Sequence, residues 1–197
     1  MEQDKILWRQ LKAGNRDSFE IIFHTYYKDL YRYGVKFSGS PEETEDEIQE
    51  LFLKLWRNRE KLGDVTAVKT YLWTSLRRRL IAAIQKSKKD TSRAESVSRG
   101  QIFLLSAEEF IIQDEKKREQ TEKLQSVIQD LSVRQKEVLY LKFYEGMSYH
   151  EIEQILGVSQ HTARNYLYLA LQNLRKLFPE EAPALFSVLL LLLSQIK

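Results

Sequence analysis

"MSYHEIEQILGVSQHTARNYL", Met147 to Leu167, reads as two short helices joined at a glycine. Ser148 and Glu151 form an S-x-x-E capping box, in which each side chain satisfies a free amide at a helix start. Ile152, Ile155 and Leu156 follow at helical spacing. Gly157 suits the left-handed conformation that ends a helix. Ser159 suits the cap of the next one. Ala163, Leu167, Ala170 and Leu174 then make one stripe along that second helix. The pattern is a helix-turn-helix, whose second helix can enter a major groove. An ordinary helical hairpin shares the same local grammar, so the rest of the chain must decide.

The 197 residues are 30% charged and 43% hydrophobic, a globular balance. Seven Gly and three Pro leave little material for an all-β fold, and the hydrophobic pattern is helical almost throughout. The absence of cysteine excludes disulfides, thiolate metal sites and cysteine nucleophiles, and fits a reducing cytoplasm. The N-terminus has no apolar run of signal-peptide kind. His24, His150 and His161 are the only histidines and are not at metal spacing. There is no Gly-rich phosphate loop and no G-x-S-x-G. The expectation is a binding protein with no catalytic residue, cofactor, metal or small-molecule substrate.

Net charge is +3, too small to argue for nucleic acid by itself. Its distribution says more. Lys69 to Arg93 holds eight Lys or Arg against one Asp, and Gln154 to Phe178 holds three Lys or Arg and no carboxylate. Acids gather at Glu42 to Glu50 and Glu108 to Glu122. Segregated basic stretches suit phosphate contact, although a solvated helix face is the commoner reason for any one charge run.

The periodicity predicts helices over 3–13, 16–38, 41–58 and 66–86, with Gly14, Gly39 and Gly63 at the breaks. The segment "SKKDTSRAESVSRGQ", 87–101, has only Ala94 and Val97 as apolar residues. It cannot bury enough surface to offset its ordering entropy and reads as a linker. Ser106 and Glu109 then form a capping box for a helix to Gln129, and Ser132 and Gln135 another for a helix to Tyr144. The predicted fold is all-α: a four-helix domain over 1–86, a polar linker over 87–105 and a helix-turn-helix domain over 106–178. An apolar tail covers 179–197.

"DEIQELFLKLW", Asp46 to Trp56, has two faces. At about 100° per residue, Ile48, Leu51, Phe52 and Leu55 share one face, and Asp46, Gln49, Glu50 and Leu53 the opposite one. The first set is a core stripe. The second is an acidic-polar patch with a leucine in it, which favours partner binding over a plain solvated face. In the next helix Leu72, Leu76, Leu80 and Ala83 point inward, and Arg77, Arg78 and Gln85 away. Lys69, Tyr71 and Trp73 lie near its start, after the polar loop "RNREKLGDVT". Cations beside aromatics suit single-stranded nucleic acid, whose bases stack on rings; each ring alone would also fit a core.

These residues resemble the small two-domain class of bacterial extracytoplasmic-function sigma factors, over about residues 16–86 and 120–178. Asp46, Gln49, Glu50 and Phe52 match that family's polymerase-binding helix. Leu131, Arg134, Gln135, Glu137, Val138, Tyr149, Glu151, Ile152, Leu156, Gly157, Ser159 and Thr162 match its promoter-reading domain, as do Leu167, Ala170 and Leu174. The resemblance implies a dissociable subunit of RNA polymerase. Asp46, Gln49, Glu50 and Leu53 would bind the core enzyme. Lys69, Tyr71, Trp73, Arg77 and Arg78, with the loop after Trp56, would recognise and open the minus-ten element of promoter DNA. The last helix would read the minus-thirty-five element. An anti-sigma factor, often membrane-embedded, usually sequesters such proteins.

The sequence departs from the family pattern at Glu153, usually a small residue, and at Tyr166 and Leu169, where Arg is frequent. Arg78 and Ala82 depart from an Asn and an acid. These bear on which promoter is read rather than on the class. On the outward face of the last helix lie Gln160, His161, Arg164, Asn165 and Tyr168. Arg pairs with guanine and Asn or Gln with adenine through paired hydrogen bonds. Tyr168, further from the helix start, suits a phosphate contact. The rival reading is a helix-turn-helix transcription regulator with a helical ligand-binding or dimerisation domain, which leaves the Asp46/Gln49/Glu50 face unexplained. The tail stretch Ala184 to Leu193 is half the roughly 20 residues that a membrane span needs. It is expected to pack on protein, either shielding the DNA-reading face or completing the second domain's core.

Overall fold

The computed structural model describes residues 2–65, 67–90, 103–105, 125–126 and 128–177. They belong to two units divided between Ile102 and Phe103, with no β-strand among the described residues. No described helix is long and apolar enough to cross a membrane. Most of the expected linker, the Ser106/Glu109 box with most of its helix, and the tail over 179–197 lie outside the described residues.

The first unit holds α1 (Glu2–Lys12), α2 (Arg16–Ser38), α3 (Pro41–Arg57) and α4 (Val68–Asp90), with a single 3-10 turn at Arg59–Lys61. Local chemistry sets the boundaries. The Asn15 side chain accepts from the Ser18 amide at 2.8 Å and opens α2. Gly39, at φ 73°, closes it in the left-handed conformation. Ser40 then caps α3, with Pro41 in its first turn, where a missing N–H costs nothing. The helices pack around Trp8 and Leu11 of α1, Ile22, Leu30, Tyr33 and Phe37 of α2, Ile48 and Leu55 of α3, and Leu72, Leu76 and Leu80 of α4, all nearly solvent-free. α2 and α3 approach so closely at Gly34 that a Cβ there would lie 2.4 Å from Thr44 Cγ2.

The second unit holds α5 (Val133–Leu139), a π-helical turn over Tyr140–Tyr144, α6 (Tyr149–Leu156) and α7 (Gln160–Leu177). Three caps predicted from sequence are in place. Ser132 with Gln135 and Ser148 with Glu151 form full capping boxes, and Ser159 Oγ accepts from the Thr162 amide at 3.1 Å. Gly157 ends α6 at φ 67° and donates to Glu153 O. Ile152, Ile155, Ala163, Leu167 and Ala170 are buried between these helices.

Two expectations need correcting here. The helix expected to run on to Tyr144 changes pitch at Tyr140: the Glu145 amide donates to Tyr140 O at 3.1 Å and the Met147 amide to Leu141 O at 3.0 Å. Val138, Leu139, Tyr140 and Leu141 are all buried around this turn. The linker, expected to reach residue 105, ends earlier. Phe103 and Leu105 are buried in the second unit, and the Phe103 ring lies 5.6 Å from that of Tyr140. Apolar side chains at the edge of a polar segment gain more from burial than their ordering costs.

Candidate protein- and DNA-binding surfaces

On α3 the structure separates the two faces as the helical period requires. Ile48, Leu51, Phe52 and Leu55 are buried, while Asp46, Gln49, Glu50 and Leu53 are exposed. Leu53 leaves 47% of its surface in water beside these polar groups. Arg79 of α4 lies along the edge of the patch. Its Nε is 2.7 Å from Glu47 Oε2 and donates to Glu47 O at 3.1 Å, while its Nη2 is 4.0 Å from Glu50 Oε2. Sequence reasoning had missed Arg79, because pairing across two helices leaves no local pattern.

The set expected for the minus-ten element is split by the fold. Arg78 is exposed, and Lys69 and Tyr71 are half-buried. Trp73 is fully buried, edge-on to Tyr26 at 6.2 Å, with Lys69 Nζ 5.1 Å from the centre of the Trp73 ring. Arg77, expected to point outward, is 5% exposed and lies over the Phe37 ring at 5.4 Å. α4 packs on α1, α2 and α3 at once. Its buried arc is therefore wider than one leucine stripe and takes in the residues following Leu72 and Leu76. Trp73 and Arg77 offer no surface to a base, and both leave the DNA-contact set.

The loop after α3 is anchored by α1, another feature the sequence did not disclose. Trp8 Nε1 donates to Gly63 O at 3.1 Å and Lys12 Nζ pairs with Asp64 at 2.8 Å. The hydrogen bond from Lys12 holds the Asp64 carboxyl below the usual carboxylate range. Arg59 lies 4.6 Å over the Trp56 ring and donates to Trp56 O. Burial raises the Tyr26 hydroxyl of α2 well above its ordinary pKa, and the charge and hydrogen bond of Asp4 on α1 add to the rise.

In the second unit His161, Arg164, Asn165 and Tyr168 are exposed, and Gln160 is half-buried. Positions 160, 161, 164, 165 and 168 share one face of a helix. Arg164 and Lys142 both engage Tyr149, at 4.8 and 4.9 Å from its ring centre. Tyr168 accepts a hydrogen bond from Gln172 at 2.7 Å. Gln160 donates from Nε2 to Glu153 Oε2 at 3.0 Å, and that bond is the main reason the Glu153 carboxyl sits below its usual range. His150 Nδ1 is 3.5 Å from the same carboxylate oxygen.

Comparison with known proteins agrees with this two-part layout. The family model "Sigma-70 region 2" matches residues 22–90, and "Sigma-70, region 4" matches residues 121–174. The ECF RNA polymerase sigma factor SigK of Mycobacterium ulcerans (strain Agy99) is 24% identical over 176 residues, covering 86% of this chain and 90% of that protein. The ECF RNA polymerase sigma factor SigM of Bacillus subtilis (strain 168) is 25% identical over 157 residues, covering 80% and 93%. Among solved structures, the sigma factor RpoE in complex with the anti-sigma factor NepR from Bartonella quintana superposes with a TM-score of 0.60. It is 19% identical and covers 83% of this chain and 98% of that one. CnrH in complex with the cytosolic domain of CnrY gives a TM-score of 0.58 at 18% identity, covering 89% and 97%.

Proposed function

We propose, for this chain, which belongs to the sigma-70 family in its extracytoplasmic-function class, a division of labour between its two units. The chain is a sigma factor that directs core RNA polymerase to promoters. In our reading the first unit docks on the polymerase through Asp46, Gln49, Glu50 and Leu53. It meets the minus-ten element with Arg78, Lys69, Tyr71 and the loop anchored by α1. The second unit reads the minus-thirty-five element with Gln160, His161, Arg164 and Asn165, and Tyr168 meets phosphate. The chain works by binding, in the cytoplasm, and the active centre it serves is the polymerase's own. Its regulator is an anti-sigma factor, a reading supported by the anti-sigma factor NepR bound to the structural relative RpoE.

The observation that carries this reading is the outward face of α3. Its four residues stay in solvent while the opposite stripe is fully buried. A leucine and three polar groups left together in water form a surface suited to a partner rather than to the unit's own packing.

Arg164→Ala tests the DNA half. Reconstituted transcription with purified core polymerase is compared on a cognate promoter and its minus-thirty-five variants, at two salt concentrations. Loss of a base contact should cost about 1–3 kcal/mol of discrimination at one position. Loss of a phosphate contact should weaken all templates alike and flatten the salt dependence. The first outcome is expected, because Arg164 is exposed on the recognition face and held there by the Tyr149 ring. An unchanged base preference would remove it from the reader set.

A further inference from the structure

Gln160 is the first residue of α7, at the end of a recognition helix that reaches base edges most easily. It is not free to turn. Glu153, in the last turn of α6, accepts a hydrogen bond from its Nε2 at 3.0 Å. The Glu153 backbone is held by the Gly157 amide, which donates to its carbonyl at 2.8 Å, and the Glu153 carboxylate lies 3.5 Å from His150 Nδ1.

A glutamine amide carries two hydrogens and one carbonyl oxygen. Glu153 takes one hydrogen. The second hydrogen and the carbonyl remain, and these are the two groups that pair with N7 and N6 of adenine in the major groove. We propose that Glu153 is a positioning residue for DNA sequence: it holds the Gln160 amide in the orientation that reads adenine. This rests on Gln160 being a base reader, as set out above. Glu153 contributes by removing rotamer freedom before DNA arrives, since an unheld glutamine must be ordered on binding. It also acts against binding, because its negative charge adds to the repulsion from phosphates. Preference and overall affinity therefore respond to its removal with opposite signs.

The test uses the full chain with core polymerase, on promoters carrying each base at every minus-thirty-five position. Gln160→Ala identifies the position that Gln160 reads as the one where preference for adenine disappears. At that position Glu153→Ala should reduce the preference for adenine about two- to tenfold, the equivalent of ordering one long side chain, while binding to unrelated DNA becomes tighter. Glu153→Gln supplies the decisive control. Its amide oxygen still accepts from Gln160 but its charge is gone, so it should tighten binding to all sequences and keep the adenine preference. If Glu153→Ala tightens binding while leaving the preference at that position unchanged, Glu153 acts only through its charge and the proposal is overturned. If Glu153→Gln loses the preference as fully as Glu153→Ala, the hydrogen bond is not the cause and the proposal is likewise overturned. If Gln160→Ala changes preference at no position, the reading of Gln160 as a base contact fails, and the proposal fails with it.

Discussion

Core RNA polymerase should bind the Glu50→Lys protein at least about tenfold more weakly than the natural sequence, while the helical content of the two proteins should be the same. This is the larger of two effects the structure predicts. Glu50 is exposed, and its one ion-pair distance among the described residues is 4.0 Å, to Arg79. Arg79 does not depend on it, since Glu47 supplies a carboxylate at 2.7 Å and a carbonyl at 3.1 Å. The substitution should therefore cost the fold within about 0.5 kcal/mol, as surface changes usually do. At an interface the same reversal removes an attraction and adds a repulsion, and like-charge juxtaposition costs several kcal/mol. A fluorescence titration against core polymerase at two ionic strengths measures it. The deficit should shrink as salt rises, because the Debye length, about 8 Å at physiological ionic strength, shortens with added salt and damps the repulsion between exposed charges. An affinity equal to that of the natural protein would remove the outward face of α3 from the interface.

The second large effect is on stability. Gly34→Ala should destabilise the first unit by about 1–3 kcal/mol, although alanine in mid-helix ordinarily gains about 1 kcal/mol over glycine. The added Cβ would sit 2.4 Å from Thr44 Cγ2. Thr44 cannot simply turn away: it is fully buried, and its Oγ1 donates to Ser40 O at 2.8 Å and lies 3.0 Å from Ser38 Oγ. Thr44→Ser removes the offending methyl and keeps the hydroxyl, so the double variant should recover most of the loss. All three tryptophans, Trp8, Trp56 and Trp73, lie in the first unit, so urea unfolding followed by their fluorescence reports on it alone. Equal or greater stability for Gly34→Ala would show that the two helices separate at little cost.

The reach of sequence reasoning follows from what each feature depends on. Helix boundaries and the two faces of α3 depend on period and caps, which are local. Ser40, Ser132, Ser148 and Gly157 stand where the chain alone places them. The misjudged residues depend on neighbours. Arg77 lies next to a predicted core leucine, and whether that position is buried turns on how many helices surround α4. The anchoring of the loop by Trp8 and Lys12 joins residues more than fifty positions apart. The bond from Gln160 to Glu153 spans seven positions across a turn and could have been suspected, because a carboxylate stood where the family pattern has a small residue. Phe103 and Leu105 carried a legible signal too: "IFLL" is an apolar run at the end of a polar segment.

The most direct test of the account is run-off transcription from a genomic promoter library with purified core polymerase, with and without this protein. The account predicts new start sites that appear only with the protein, share a minus-ten and a minus-thirty-five block, and vanish with Glu50→Lys. If the protein instead bound DNA fragments tightly by itself and directed no new starts, it would be acting as a regulator, and the assignment of its α3 face to polymerase would be contradicted.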